Sequence, residues 1–203
     1  MKRFNELLDD ARVLKIENSA NPIIGSLVYD SRSVEPGSCF FAVRGTQSDG
    51  HTYIASAIER GAVAVVCESM PEERVDGVSY AVVEDSNIAM AAMAAAYYDH
   101  PSRELKLVGV TGTNGKTTTA TLLYDMFMAM GHKSGLISTV VYRIGEESLA
   151  STHTTPDAIR LNAMMRKMVD CGCQYCFMEV SSHSLAQHRT YGLRFAGGLF
   201  TNL

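Results

Sequence analysis

Three groups of residues in this chain have the types and spacing to handle a phosphorylated ligand. The first is Gly112-Thr-Asn-Gly-Lys-Thr-Thr118. Glycines at 112 and 115 let backbone N–H groups turn inward, Lys116 adds a positive charge, and a hydroxyl from Thr117 or Thr118 can hold Mg²⁺. The strict pattern G-x-x-x-x-G-K-[ST] requires glycine at position 110, where this chain has Val110, with Gly109 one place early. The loop is therefore a variant phosphate cradle, unlike that of common GTPases and adenylate-type kinases. The second group is Glu179, which follows the apolar run Tyr175-Cys-Phe-Met178. An acid after such a run emerges at the C-terminal edge of a parallel sheet, where a phosphate loop needs its metal carboxylate. The third is Ser181-Ser-His-Ser-Leu-Ala-Gln-His-Arg189, whose Ser/His/Gln/Arg mixture suits ligand contact better than a solvated helix. His183 is read as a structural hydrogen bonder, because pairing with Glu179 at four residues would need both on one helix. No G-x-S-x-G elbow supports a Ser–His nucleophile.

These groups need a sheet to carry them. Leu105, Leu107 and Val110 mark a short strand running into the loop, and a helix is expected from Lys116 to Met130, closed by Gly131. Lys133–Ser138 leads through Thr139 to a second extended run, Val140–Ile144. The polar loop Ser151-Thr-His-Thr-Thr-Pro-Asp157 precedes a helix reaching Val169, with Pro156 in its first turn. Strands are expected at Cys173–Val180 and Phe195–Phe200. An α/β sheet ordinarily continues after such a strand, so the chain reads as a truncated piece of a longer one.

The front half has its own pattern. Phe4, Leu7, Leu8 and Ala11 predict an amphipathic helix over residues 3–14. Strands at Ile23–Tyr29 and Ser38–Val43 end in the polar runs Asp30-Ser-Arg-Ser33 and Arg44-Gly-Thr-Gln-Ser-Asp-Gly-His51. A helix from Thr52 to Arg60, a buried strand at Ala62–Cys67, a strand at Val78–Val83 and a helix from Ser86 to Tyr98, with Ser86 as N-cap, complete it. Asp99-His-Pro-Ser102 breaks the chain into domains 1–98 and 102–203. The fold class is α/β: a small N-terminal α/β domain, then part of a phosphate-loop ATPase domain with a mostly parallel sheet.

Composition narrows the classes further. A net charge of −4 over 203 residues offers no basic face for nucleic acid. No apolar run approaches the roughly 18 residues of a membrane span, and the charged N-terminus is not secretory, so a cytoplasmic protein is expected. Five cysteines without an export signal fit reduced thiols. Cys171, Cys173 and Cys176 lack the further ligands of a structural zinc site and read as small hydrophobes.

Four stretches together resemble the Mur ligase family: Asp30-Ser-Arg-Ser-Val-Glu-Pro-Gly-Ser-Cys-Phe-Phe-Ala-Val-Arg-Gly45, Gly109–Thr118, Thr154-Thr-Pro156 and Met178–Arg189. Within it, the Thr-Thr-Pro and Glu-Val-Ser-Ser-His signatures are similar to the members that add a diamino acid to UDP-N-acetylmuramoyl-L-alanyl-D-glutamate. The likeness runs from Ile23 to the chain end. It implies an ATP-dependent, Mg²⁺-dependent amide-forming ligase of peptidoglycan precursor synthesis, monomeric as the whole protein. The order implied is a UDP-binding domain, a central ATPase and an absent C-terminal domain.

Carried over by position, the resemblance assigns Ser31, Thr46, Gln47 and Ser48 to the UDP group. It assigns Gly112, Thr113, Asn114, Gly115, Lys116, Thr117 and Thr118 to ATP, and Thr117 and Glu179 to magnesium. Lys116 and Glu179 take the catalytic roles, and Thr154, Thr155, Ser181, Gln187 and Arg189 contact the muramoyl peptide. The implied chemistry is attack of the D-glutamate side-chain carboxylate on the ATP γ-phosphate, then capture of the acyl phosphate by meso-diaminopimelate or L-lysine. The family's remaining catalytic groups lie beyond Leu203, so this piece alone is expected not to ligate. Two other readings stay open: a generic phosphate-loop kinase or GTPase, disfavoured by Val110, Glu179 and the lack of an Asn-Lys-x-Asp motif, and a non-catalytic module binding UDP-sugar or ATP.

Overall fold

The computed structural model describes residues 1–203 except Ser19, Thr46, Gln47, Thr152 and Leu203. The chain divides into two compact units, Met1–Tyr97 and Tyr98–Leu203. In chain order the first holds β1 (Lys2–Arg3), β2 (Val13–Glu17), β3 (Ile23–Ile24), β4 (Ser26–Val28), β5 (Ser38–Phe41), α1 (Ile54–Glu59), β6 (Ala62–Cys67), β7 (Ser79–Val83) and α2 (Ser86–Tyr97). Its main sheet has the order β2-β7-β6-β5-β4, in which only β2 is antiparallel to its neighbour. β1 and β3 form a separate antiparallel pair.

The helix expected over residues 3–14 is not present. A single 3-10 turn at Phe4–Leu7 is followed by β2, and Arg12 adopts a positive φ of 51° between them. The apolar spacing still marked the core, because Phe4, Leu7, Leu8 and Ala11 are all buried. A periodicity of three and four residues fits one helical turn followed by a bend as well as it fits a continuous helix. The N-cap of α2 is also not Ser86. Asp85 Oδ1 accepts from the N–H groups of Asn87 and Ile88 at 2.8 and 3.0 Å, whereas the Ser86 N–H and hydroxyl turn to Glu68.

The second unit holds β8 (Lys106–Thr111), α3 (Lys116–Ala129), β9 (Ser134–Ile137), β10 (Val141–Ile144), β11 (Glu147–Ala150), α4 (Ala158–Asp170), β12 (Tyr175–Glu179), α5 (Ser182–Ala186) and β13 (Phe195–Phe200). The sheet order is β11-β10-β9-β12-β8-β13, with β9, β12, β8 and β13 parallel and β10–β11 an antiparallel hairpin. Alternation along the central strands sends side chains to two cores. Leu107, Cys176 and Met178 pack with Leu161, Met164, Met165 and Met168 of α4, while Val110, Phe177 and Leu136 pack with Ala120 and Tyr124 of α3. Pro156 precedes α4 rather than starting it: Asp157 is the N-cap, its carboxylate accepting the Arg160 N–H at 2.9 Å. The hairpin strand β11 carries exposed, mixed residues and gave no pattern from which to foresee it.

Candidate functional site

In the second unit the parallel sheet brings four strand ends to one crest. β8 pairs with β12 so that Val110 lies opposite Glu179, and with β13 so that Thr111 lies opposite Phe200. Val110 is a fully buried strand residue whose carbonyl accepts the Val180 N–H at 2.9 Å. This explains the variant motif: the chain is still in the sheet at 110, and the turn begins only at Gly112. Gly112 has φ 133° and a Cβ there would collide with the Thr201 hydroxyl, while Gly115 has φ 83°, so both positions suit only glycine.

α3 starts at Lys116, and among the described residues no acceptor meets the N–H groups of Gly115, Lys116, Thr117 or Thr118. Four unmet donors at a helix N-terminus, with the positive end of its dipole, make an anion site. The Lys116 ammonium folds over the same loop, donating to the carbonyls of Gly112 at 2.6 Å and Thr113 at 3.1 Å. A cavity of about 510 Å³ opens here, lined in part by Gly112, Thr113, Lys116, Thr154, Ser181 and His183. His183 is exposed on α5 and, among the described residues, its ring has no hydrogen-bond partner, so the structural role expected for that side chain is not seen.

Glu179, at the end of β12, is only 1% exposed. Its Oε1 accepts the Thr139 N–H at 2.8 Å and its Oε2 lies 3.1 Å from the Thr139 hydroxyl, which is in turn 3.0 Å from the Thr154 hydroxyl. Thr139 has one hydroxyl proton, so both distances are satisfied when Thr154 donates to Thr139 and Thr139 donates to the carboxylate. Thr139 is a residue the sequence reading passed over; its place at the C-terminal end of β9, on the same crest, was the available signal.

Thr155 plays a different part from Thr154. It is 1% exposed, donates to the Glu179 carbonyl at 2.8 Å and accepts the Ser181 N–H at 3.2 Å. Its carbonyl accepts from Arg189 at 2.6 Å, and Arg189 also clasps Gln187 Oε1 through two nitrogens at 2.9 and 2.6 Å. Ser181 caps α5, accepting the Ser184 N–H at 3.1 Å. The polar loop before α4 is tied down as well: the Tyr142 hydroxyl donates to the His153 carbonyl at 2.6 Å and accepts the His153 N–H at 3.1 Å.

The oxygen donors here are of the kind a divalent cation takes. Among the described residues no three His, Cys, Asp or Glu side chains gather into a metal cage. Mg²⁺ does not need one, since it binds through one or two protein oxygens and completes its shell with phosphates and water. Thr117 on the first turn of α3 and Glu179 on the neighbouring strand end offer that minimal set. Of the cysteines near this unit's other end, Cys173 and Cys176 are buried and Cys171 is exposed.

The first unit carries a second polar cleft. Tyr29, Asp30, Ser31, Arg32, Ser48 and Tyr53 are among the residues lining a cavity of about 540 Å³. Ser31 opens a 3-10 turn capped by Asp30, and Arg32 grips the Asp30 carboxylate through Nε at 2.9 Å and Nη2 at 2.7 Å. The Arg32 side-chain hydrogen bonds, followed by its N–H, hold the Asp30 carboxyl below the usual range. Thr46 and Gln47 lie outside the described residues, but the base of their loop is defined. Gly50 donates to the Val43 carbonyl at 2.9 Å and Gly45 to that of Ser48 at 3.0 Å. The His51 ring fixes it: Nδ1 lies 2.6 Å from Asp49 Oδ1, and Nε2 accepts the N–H groups of Glu68 and Ser69 at 3.0 and 3.3 Å. Those acceptor bonds assign the proton to Nδ1.

A strand, a glycine loop and a helix N-terminus with a buried carboxylate at the adjoining strand end define a phosphate-loop α/β domain. The particular lineage follows from comparison with known proteins. Residues 23–108 match the model of the Mur ligase family, catalytic domain, and residues 110–203 match that of the Mur ligase middle domain. The chain belongs to the Mur ligase family. It is 52% identical over 99% of its length to the UDP-N-acetylmuramoyl-L-alanyl-D-glutamate--2,6-diaminopimelate ligase of Phocaeicola vulgatus, covering 42% of that protein. The corresponding ligase of Parabacteroides distasonis is 56% identical over 90% of this chain and is covered to 38%. A solved structure of a ligase of that same name superposes with a TM-score of 0.74 at 26% identity, covering 89% of this chain and 36% of the other. The chain thus spans about two fifths of the length of the curated relatives it matches. Among the described residues no helix is long and apolar enough to cross a membrane.

Proposed function

We propose that this chain supplies the UDP-substrate-binding and ATP-binding parts of a MurE-type ligase, which joins 2,6-diaminopimelate to UDP-N-acetylmuramoyl-L-alanyl-D-glutamate. The observation that carries this reading is the crest where the Gly112–Lys116 loop, Glu179 and the Thr139–Thr154 pair meet. The names of the relatives support the substrate and favour diaminopimelate over lysine as the acceptor.

In this reading residues 1–98 hold the UDP group, with Ser31 and Ser48 at the cleft beside Asp30 and Arg32, while Thr46 and Gln47, outside the described residues, are assigned to the UDP group by sequence position alone. Residues 102–203 hold ATP. The unmet N–H groups of Gly115 to Thr118 and the Lys116 ammonium receive phosphate oxygens and spread the charge that grows as the γ-phosphate moves. Thr117 and Glu179 would hold Mg²⁺, which neutralises phosphate charge when bound. Thr139 keeps the Glu179 carboxylate oriented. Thr154 stands at the open side of that pair, where its hydroxyl can meet the muramoyl peptide, and Ser181, Gln187 and Arg189 border the same face. Thr155 holds the backbone of this wall together from within.

The test uses a protein that joins this chain to the remaining length of its relatives. ADP and phosphate are expected only when UDP-N-acetylmuramoyl-L-alanyl-D-glutamate and diaminopimelate are both supplied. Equal turnover with ATP alone would overturn the reading.

A further inference from the structure

The phosphate loop is held from the far side by the two residues that follow β13. The Thr201 N–H donates to the Thr111 carbonyl at 2.9 Å, continuing the β8–β13 ladder one residue past the end of β13. The Thr201 hydroxyl lies 2.5 Å from the Asn114 carbonyl and 3.2 Å from that of Thr111. With one proton to give, it donates to the nearer oxygen, that of Asn114. Asn202 takes both neighbouring donors: its carbonyl accepts the Thr113 N–H at 3.2 Å and its side-chain Oδ1 accepts the Asn114 N–H at 2.9 Å. The fit is close enough that any Cβ at residue 112 would strike Thr201 and Asn202.

This divides the loop's donors into two sets. The N–H groups of Thr113 and Asn114 point at Asn202, while those of Gly115, Lys116, Thr117 and Thr118 have no acceptor among the described residues. We propose that Thr201 and Asn202 are positioning residues of the phosphate cradle, anchoring Thr113 and Asn114 so that the four donors at the start of α3 face a nucleotide's phosphate chain. The proposal rests on the reading of this loop as an ATP site. A glycine-flanked loop is intrinsically loose, and ordering it on binding would draw down affinity. Contacts from a paired strand pre-order it instead. Neither residue touches the phosphates in this scheme.

The experiment uses the 203-residue chain and the variants Asn202→Ala, Thr201→Val and Thr201→Ser. Amide exchange of Thr113 and Asn114 is followed by NMR without ligand, and binding of MgATP and of inorganic tripolyphosphate by calorimetry. Asn202→Ala is expected to speed exchange at Asn114 about tenfold while Thr113, held by a backbone carbonyl, changes little. Its affinity for both probes is expected to fall about three- to tenfold, the scale of one lost hydrogen bond. Thr201→Val is expected to weaken both probes similarly, and Thr201→Ser, which keeps the hydroxyl, to restore them. Affinity that is unchanged or tighter in Asn202→Ala would overturn the proposal, showing either no coupling or a carboxamide that competes with phosphate. If the parent chain binds neither probe, the ATP reading itself fails, and the cradle role with it.

Discussion

Replacing Thr155 with valine isolates one hydroxyl at the centre of the wall behind Glu179. The two side chains have nearly the same shape, so the change removes hydrogen bonds and little packing. The hydroxyl donates to the Glu179 carbonyl at 2.8 Å and accepts the Ser181 N–H at 3.2 Å, at a residue only 1% exposed. Valine leaves a buried carbonyl and a part-buried N–H without partners. Each such group costs about 1–3 kcal/mol, with the part-buried one at the low end, so a loss of about 2–4 kcal/mol is expected. Urea unfolding followed by circular dichroism gives the number from the shift in midpoint at constant slope. Thr155→Ser keeps the hydroxyl and loses one methyl, for a cost of about 1 kcal/mol. A loss below about 0.5 kcal/mol in Thr155→Val would refute the claim that this hydroxyl holds β12 to α5.

Other outcomes follow from the same reasoning. His51→Ala removes the acceptor for the Glu68 and Ser69 N–H groups, so their amide exchange is expected to rise, with weaker binding of the UDP substrate to the Asp30–Ser48 cleft. At neutral pH a thiol reagent is expected to label Cys171 first, since it is exposed; mass spectrometry of the labelled peptides checks this. Burial pushes the thiols of Cys39 and Cys176 far up, and that of Cys67 to about 11 from the ordinary 9.0. The folded chain then keeps protons that the unfolded chain gives up. Stability from these thiols is present below about pH 9 and is lost as pH climbs from there towards 11, which unfolding midpoints across that range would show.

The elements proposed to carry chemistry were legible because their signals are local. β8, the Gly112–Gly115 turn and α3 follow one another without a break between Lys106 and Ala129, and Glu179 ends an apolar run that has little choice but to be a central strand. What escaped are contacts made across long stretches of chain. Thr139 reaches Glu179 across 40 residues and Asn202 reaches Asn114 across 88, and nothing in the local composition of either announces it. Thr155 was legible as important but not in its role: a Thr-Thr pair does not say which hydroxyl faces outward and which is buried. Residues 3–14 show the opposite error, where spacing found the core and misnamed the element that fills it.

The central claim is that the loop at 112–118 is an ATP cradle with Lys116 as its charge. Calorimetric titration of this chain with MgATP, beside the Lys116→Ala variant, tests it most directly. The account predicts saturable binding by the parent, weakened at least about tenfold in the variant as one charge-assisted contact of about 1.5–3 kcal/mol is lost. Binding of equal strength in both proteins would contradict it.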